Sequence, residues 1–391
     1  MKKKMMETRQ IRLTLRTMNP ALYPLKVFAG FLLLAMLMVF SSCEKETLGP
    51  DNEPDTIIPD RFMVEIPGSI SSSESIKSMQ ADTMNGNHIY QHLRTFIAAA
   101  ESGAELAQNI MLSIAVHNLN RPLELTYISD EDGRAKHLEI IENAVYEDQN
   151  WQYRLTISDA EGSTENGQSN IGLQVFWSWN PLSGIALINP YNCDRTTEES
   201  YAETSFRIDY SETGNLGYEA HMFVSISGFP LPSPLQEPFG MDNMKMFVGK
   251  NGDQVTLYGN SQHPNTQFYN NETGFNWAFV AAALENQDMA VAEVGLPPVG
   301  LDETDREVLL ETYSVYNVLR NQVLSVWPGI DNELLDTYLY NTQAPGYFNA
   351  SGFVQAGTAP SDDYLPLTEH IQNLAPFNPA EILNLSITFD E

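Results

Sequence analysis

The sequence predicts an α+β fold, an antiparallel sheet packed by helices, and three observations carry that prediction. Apolar residues recur at helical spacing over 87–117, at every second position through much of 124–295, and at helical spacing again over 302–341. A strand that alternates apolar with polar side chains buries one face and wets the other, which is the habit of antiparallel rather than parallel sheets.

In the first helical stretch Ile89, Leu93, Phe96 and Ile97 share one stripe, and Leu106, Ile110, Met111 and Ile114 share another. Gly103 lies between them, so two short amphipathic helices are expected. Glu101 and Glu105 flank the break and no basic face accompanies the apolar one, which argues against a membrane-surface helix.

The meander follows. Trp151, Tyr153, Leu155 and Ile157 alternate with Gln152, Arg154, Thr156 and Ser158. Leu173, Val175, Trp177 and Trp179 repeat the pattern, as do Phe206, Ile208 and Tyr210, then the positions from Leu216 to Ile226. Met244, Met246 and Val248 face Val255 and Leu257 across Lys250-Asn251-Gly252-Asp253, where Asn-Gly is a strong hairpin signal. Phe275, Trp277 and Phe279 open another strand. After Pro297 and Pro298, Val308, Val315, Leu319 and Val323 mark a helix of about 20 residues capped by Asp302 or Thr304. A second helical stretch runs from Asn332 to Tyr340. A loop-rich segment then leads to Leu383, Leu385, Ile387 and Phe389, which read as a last strand. Helices, a long meander and a further helix, in that order, resemble the open half-barrels of lipoprotein carriers, in which a curved sheet is covered by helices. A β-sandwich with added helices is the alternative.

The amino-terminal residues read as an export signal. Lys2, Lys3, Lys4, Arg9, Arg12, Arg16 and Lys26 precede an uncharged apolar run from Val27 to Phe40. That run suits a signal-peptide core, whereas a membrane-spanning helix needs roughly 20 residues. Ser41, Ser42 and Cys43 follow it, and this order resembles the lipobox of Gram-negative lipoproteins, with Phe40 standing where that pattern prefers Leu, Val or Ile. The resemblance implies cleavage before Cys43 and acylation of Cys43. At ~0.8 kcal/mol per buried methylene, the acyl chains are a durable anchor. It divides the chain into a signal peptide, 1–42, an acylated cysteine and polar tether, 43–61, and a single body, 62–391. Glu44, Lys45 and Glu46 resemble the sorting signals of lipoproteins kept at the outer membrane, facing the periplasm or the cell surface.

Charge narrows the partners. The chain carries 21 Lys and Arg against 51 Asp and Glu, and loss of residues 1–42 leaves 14 against 50. A surface so acidic repels phosphates, so nucleic acid is excluded, and anionic headgroups are disfavoured, leaving the lipid on Cys43 as the membrane partner. An envelope protein or a lipophilic or glycan ligand remains open. Cys193 is the only other cysteine, so no intrachain disulfide can form in the mature chain.

Few constellations carry chemistry. His88 and His92 have the spacing of paired metal ligands, but Ile89 stands where a zinc-protease helix needs its glutamate. They are expected to face solvent. Asp194 beside Cys193 opposes formation of a thiolate. The acidic turns at Asp130, Glu131 and Asp132 and at Asp159, Glu161 and Glu165 offer oxygens without the twelve-residue calcium loop. Asp55-Thr56-Ile57 and Asp82-Thr83-Met84 resemble a three-residue O-glycosylation acceptor of some Gram-negative anaerobes. No nucleophile elbow, phosphate loop or dinucleotide fingerprint is present, so no cofactor is expected. Trp151, Trp177, Trp179 and Trp277 are the candidate ligand-binding residues, should they gather on one open sheet face; the alternative is that they are core. The sequence supports a non-enzymatic binding or assembly component of the outer membrane. A lipophilic or glycan binder, and a hydrolase whose site forms only in three dimensions, are the alternatives.

Overall fold

A computed structural model describes residues 57–72, 85–116, 121–161, 170–231, 239–267 and 273–390. The expected signal peptide, Cys43 and the expected tether up to residue 56 lie outside the described residues, as do Glu165 and most of both sequences that resemble glycosylation acceptors.

The body is α+β, built on one open antiparallel sheet of 13 strands in which every strand pairs with its neighbours in sequence. These are β1 (Leu123–Ile128), β2 (Ala135–Tyr146), β3 (Gln149–Asp159), β4 (Ile171–Ser178), β5 (Ser183–Ile188), β6 (Ser205–Ser211) and β7 (Ala220–Ser227). They continue as β8 (Met244–Asn251), β9 (Gln254–Gln267), β10 (Thr273–Leu284), β11 (Met289–Gly295), β12 (Gly346–Asn349) and β13 (Gly352–Ala356). A single sheet stands in place of the two that a sandwich requires.

One face of the sheet is covered by α1 (Gly86–Val116), a single helix of 31 residues where two were expected. Gly103 does not break it. A Cβ at Gly103 would come within 2.4 Å of the Phe206 ring on β6, so the glycine permits close approach of helix to sheet. The same inner face carries Leu155, Val175, Trp177, Ile208, Val224, Leu257 and Phe279, all buried in register across the ladder.

The other face is covered too, which the alternation did not predict. α5 (Leu365–Ile371) brings Leu367 and Ile371 against Val280, Ala282 and Val291. α6 (Pro379–Leu383) lies on β9. Both faces of β4, β5 and β10 are therefore buried, and only strands such as β2 and β6 keep a clean in-and-out pattern.

Leu383 to Phe389 is not a strand. Leu383 closes α6 and the chain then crosses the outer face as a strap. Ser227 Oγ donates to Leu385 O at 2.8 Å, Tyr146 Oη to Thr388 O at 2.8 Å, and Gln174 Nε2 to Asp390 O at 3.0 Å. Ile387 and Phe389 settle on Trp151, Phe176, Ile185 and Leu187. The alternation in the sequence correctly reports one buried face, but the backbone binds side chains of the sheet instead of extending its ladder.

The expected long helix after Pro298 is also divided. A π-helical stretch, Glu307–Thr312, precedes α3 (Val315–Val326) and α4 (Asn332–Tyr338). Ser314 leaves helical geometry to bridge Gly295 at the end of β11, and its hydroxyl accepts from Asn317 N to start α3. A backbone tie to the sheet outweighs helical continuity there. Among the described residues no helix is long and apolar enough to cross a membrane.

Candidate functional site

The four tryptophans do not form one platform. Trp177 and Trp179, at the end of β4, do converge: their indole nitrogens donate to the same carbonyl, Ile57 O, at 2.8 and 3.1 Å. Trp177 is fully buried and stacks on Tyr153, while Trp179 is half-buried. Trp277 lies on the same inner face but on β10, beneath α1, with Phe96 at 5.1 Å and His263 at 5.0 Å between ring centres. Trp151 packs with Phe176, the neighbour of Trp177 that points the opposite way, so it belongs to the outer face.

The carbonyl shared by Trp177 and Trp179 begins a segment, 57–72, that lies against the inner face. Its apolar residues Ile58, Phe62, Val64 and Ile66 are buried. Phe62 lies over Gly184, where a Cβ would clash with its ring, and against Tyr210 at 5.5 Å. Its backbone is held from α1 and β7: Phe62 N donates to Gln108 Oε1, Val64 N to Met222 Sδ, and Ile66 N to Glu101 Oε1. Ser71 Oγ donates to the second oxygen of Glu101. Burial pushes the Glu101 carboxyl up to about 7, against the pull of the Ser71 and Ile66 hydrogen bonds.

Beside this segment lies a groove of about 560 Å³, lined by Asp60, Arg61, Met63, Val64, Glu65, Gln108, Glu212, Glu219, Ala220 and Lys250. Four carboxylates face two cations, and Lys250 is already paired with Glu285 at 2.7 Å. Glu212 accepts the Tyr210 hydroxyl at 2.7 Å and Glu219 accepts Gly252 N at 3.2 Å, bonds to neutral donors that leave both charges in place. Met63 and Val64 give the groove an apolar floor. We take this groove as the candidate site, because it combines a ligand-sized volume with a defined charge.

Two other constellations resolve differently. The acidic turns weighed for calcium meet across β2 and β3, but protein cations occupy their oxygens. Asp159 receives Arg134 Nε at 2.9 Å and Arg195 Nε at 3.0 Å, and Asp132 receives Lys136 Nζ at 2.8 Å. The side chains of Asp132, Lys136 and Asp159 are essentially without solvent. Burial alone would raise the Asp132 carboxyl, yet hydrogen bonds from Arg195 N and Lys136 bring it to about 2. Next to this cluster, at the end of the short α2 (Pro190–Cys193), burial pushes the Cys193 thiol up to about 12, so at neutral pH it is protonated and a poor nucleophile.

His88 and His92 are buried, a correction to their expected exposure, because the face of α1 that carries them turns toward the sheet. His92 Nδ1 reaches His88 O at 2.8 Å, and His92 packs edge-on to Phe239. His263 on β9 joins the group, bonded to Ser261 Oγ at 2.8 Å and Phe239 O at 3.0 Å. Burial pushes His92 down to about 4 and His263 down to about 3. Among the described residues no three His, Cys, Asp or Glu side chains come close enough to share a metal ion.

Sequence reasoning missed Glu101 as a buried acid, Lys136 as a buried cation, and the groove itself. Glu101 and the groove depend on residues 30 or more positions apart, and the four-residue spacing of Asp132 and Lys136 carries no sign of their burial. No protein-family description, curated protein or solved structure matches this chain.

Proposed function

We propose that this protein is an extracytoplasmic lipoprotein, held at the outer membrane by acylation of Cys43, whose body serves as a non-enzymatic binding or assembly component of the cell envelope. The observation that carries the reading is the order basic segment, apolar run, Ser41-Ser42-Cys43 and acidic polar tether. A mature chain with 14 basic against 50 acidic residues has little other means of holding an anionic bilayer.

The finer fold reading belongs to this proposal: the sheet curves as a half-barrel around α1. Tyr90 stacks on Phe353 and lies against Gly346 of β12, whereas Gly103 lies against Phe206 of β6. The helix covers about 20 Å between those positions at its usual rise. Six strand spacings in a flat sheet would need about 29 Å. Curvature toward the helix would reconcile the two lengths, which supports the half-barrel reading.

Replacement Cys43→Ala tests the anchor. It is expected to abolish labelling by a palmitate analogue and to release the protein from membranes on fractionation. Retained labelling would remove the basis of the proposal.

A further inference from the structure

We propose that the strap, residues 385–390, exchanges between copies: the channel it fills on the outer face of the sheet is a docking site for the same segment of a second copy of this chain. The inference goes beyond the anchor at Cys43 and does not rest on it.

The strap sits on the sheet as a bound peptide would. Its seats at Ser227 on β7 and Gln174 on β4 are three strand spacings apart, about 14 Å, and five extended residues reach about 17 Å. It therefore crosses the strands with little slack and cannot join their ladder. Side chains of the sheet bind its backbone instead. Gln174, 1% exposed, accepts Asp390 N on Oε1 at 2.8 Å and donates Nε2 to Asp390 O at 3.0 Å, two bonds of the kind a neighbouring strand supplies. Tyr146 Oη and Ser227 Oγ take the carbonyls of Thr388 and Leu385, and Arg154 Nη1 meets the Asp390 carboxylate at 3.3 Å. Ile387 and Phe389 fill apolar seats while Ser386 and Thr388 stay exposed.

The channel depends on an occupant more than the occupant depends on its own chain. Without the strap the Gln174 carboxamide would lose both partners, and Phe176 and Leu187, now fully buried, would be wetted. The strap's own anchors, Leu385, Ile387 and Phe389, are only half-buried, which is the character of a segment that opens locally. Its tie to α6 is slight, because Asn384 is exposed and Leu385 N reaches Ile382 O at 3.4 Å. α6 is held separately, by Ala380 N on Leu301 O and by the Lys245–Glu381 ion pair. A strap arriving from a second copy therefore makes the contacts that the resident strap makes, and every copy carries the matching sequence. Exchange of an identical element leaves those contacts unchanged, so concentration and the hinge at Asn384 decide the state.

Sedimentation of the full-length chain in detergent, over a range of concentration and salt, tests the proposal together with a labelled peptide of residues 384–390. The wild-type chain is expected to form a concentration-dependent dimer that salt strengthens, since 51 acidic against 21 basic residues make two copies repel. Asn384→Pro removes the hinge N–H and draws φ away from −116°, and is expected to raise the dimer fraction about threefold at fixed concentration. Ile387→Asp with Phe389→Asp disables the strap. That chain is expected to lose the dimer and to bind the peptide at least about tenfold more tightly than wild type, and Gln174→Ala added to it should weaken the peptide about tenfold. A folded strap-disabled chain that ignores the peptide, or one that still forms the dimer, would overturn the proposal. So would wild-type and Asn384→Pro chains that both stay monomeric at every concentration and salt, a comparison that decides the matter even where the strap-disabled chain does not fold.

Discussion

Two polar clusters are buried in this body, and they are kept dry in opposite ways. Around β2 and β3, Asp132 and Asp159 are surrounded by Arg134, Lys136 and Arg195, so burial is tolerated because every charge has a partner at hydrogen-bond distance. Beneath α1, His92, His263 and Trp277 are buried as neutral rings, and Trp277 Nε1 has no hydrogen-bond partner among the described residues. The first cluster is safe only while it is complete. The second is safe only while it stays uncharged. A buried ion pair that loses one member leaves a charge in a medium that solvates it poorly, whereas a buried neutral imidazole fails when protons become available.

The largest expected effect follows from breaking the first cluster. Asp159→Asn removes the negative charge shared by Arg134 and Arg195 and leaves Lys136 with Asp132 as its ion-pair partner. Removal of one partner of a buried pair costs about 3–5 kcal/mol. The midpoint of urea unfolding should fall accordingly, and an unchanged midpoint would show that water reaches these groups.

Acid should take the second cluster apart first. His92 is held at about 4 in the folded state against an ordinary value near 6.5. The unfolded chain therefore binds the proton that the folded chain refuses. The stability gained by keeping His92 neutral is intact above pH 6.5 and is lost as pH falls toward 4, by on the order of 3 kcal/mol. His263 adds in the same direction, to lower pH. The ionic cluster responds later, because Asp132 titrates at about 2 when folded and its contribution survives until pH drops below the usual aspartate range. His92→Gln should reduce the loss between pH 6.5 and 4, leaving the share that belongs to His263; parallel unfolding curves for the two proteins would show that His92 does not set the acid sensitivity.

The clusters also differ in dependence on α1. The seat of that helix on the sheet relies on Gly103, where a methyl group would press into Phe206. Gly103→Ala gains helix propensity of about 1 kcal/mol, but overpacking costs about 1–3 kcal/mol, so net destabilisation is expected. Proton NMR titration should then show His92 and His263 moving toward 6.5 as the helix lifts. The Asp132 and Asp159 cluster should be undisturbed.

These differences explain what could be read from the chain. The meander was legible because alternation at Tyr153, Leu155 and Ile157 is a local signal, and the Asn251-Gly252 turn fixes its hairpin. β5 and β11 were not, since Gly184–Ile188 is a short continuous apolar run and Ala290–Val294 is interrupted only by Glu293, so the period of each is ambiguous. Leu385 to Phe389 shows a deeper limit, because alternation identifies a buried face and says nothing about which partner the backbone finds. At the candidate site the limit was distance in sequence. Glu65, Glu212 and Lys250 line one groove only because the segment 57–72 lies beside three strand ends. The tryptophans drew notice by residue type, yet the side chains that now define the groove are ordinary surface types.

Glu101 offers the smallest and sharpest test, because it combines both modes of burial in one group. Its carboxyl is buried like the ionic cluster but has no cation within salt-bridge distance among the described residues; instead it accepts from Ile66 N and Ser71 Oγ. Burial holds it at about 7, above the ordinary glutamate value near 4.5, so the folded chain retains a proton that the unfolded chain releases. Stability from this group is complete below pH 4.5 and declines as pH rises through 7, opposite in sign to His92. Glu101→Gln keeps an acceptor for Ile66 N and a donor for Ser71 while removing the charge. A gain at pH 8 that is much smaller at pH 5 is expected from urea unfolding at the two pH values. An equal gain at both would mean that packing, not ionisation, distinguishes the variant. A loss at both would mean that the carboxylate itself holds the segment 57–72 on α1. Because that segment forms one wall of the groove, the second result would also tie the shape of the groove to that carboxylate.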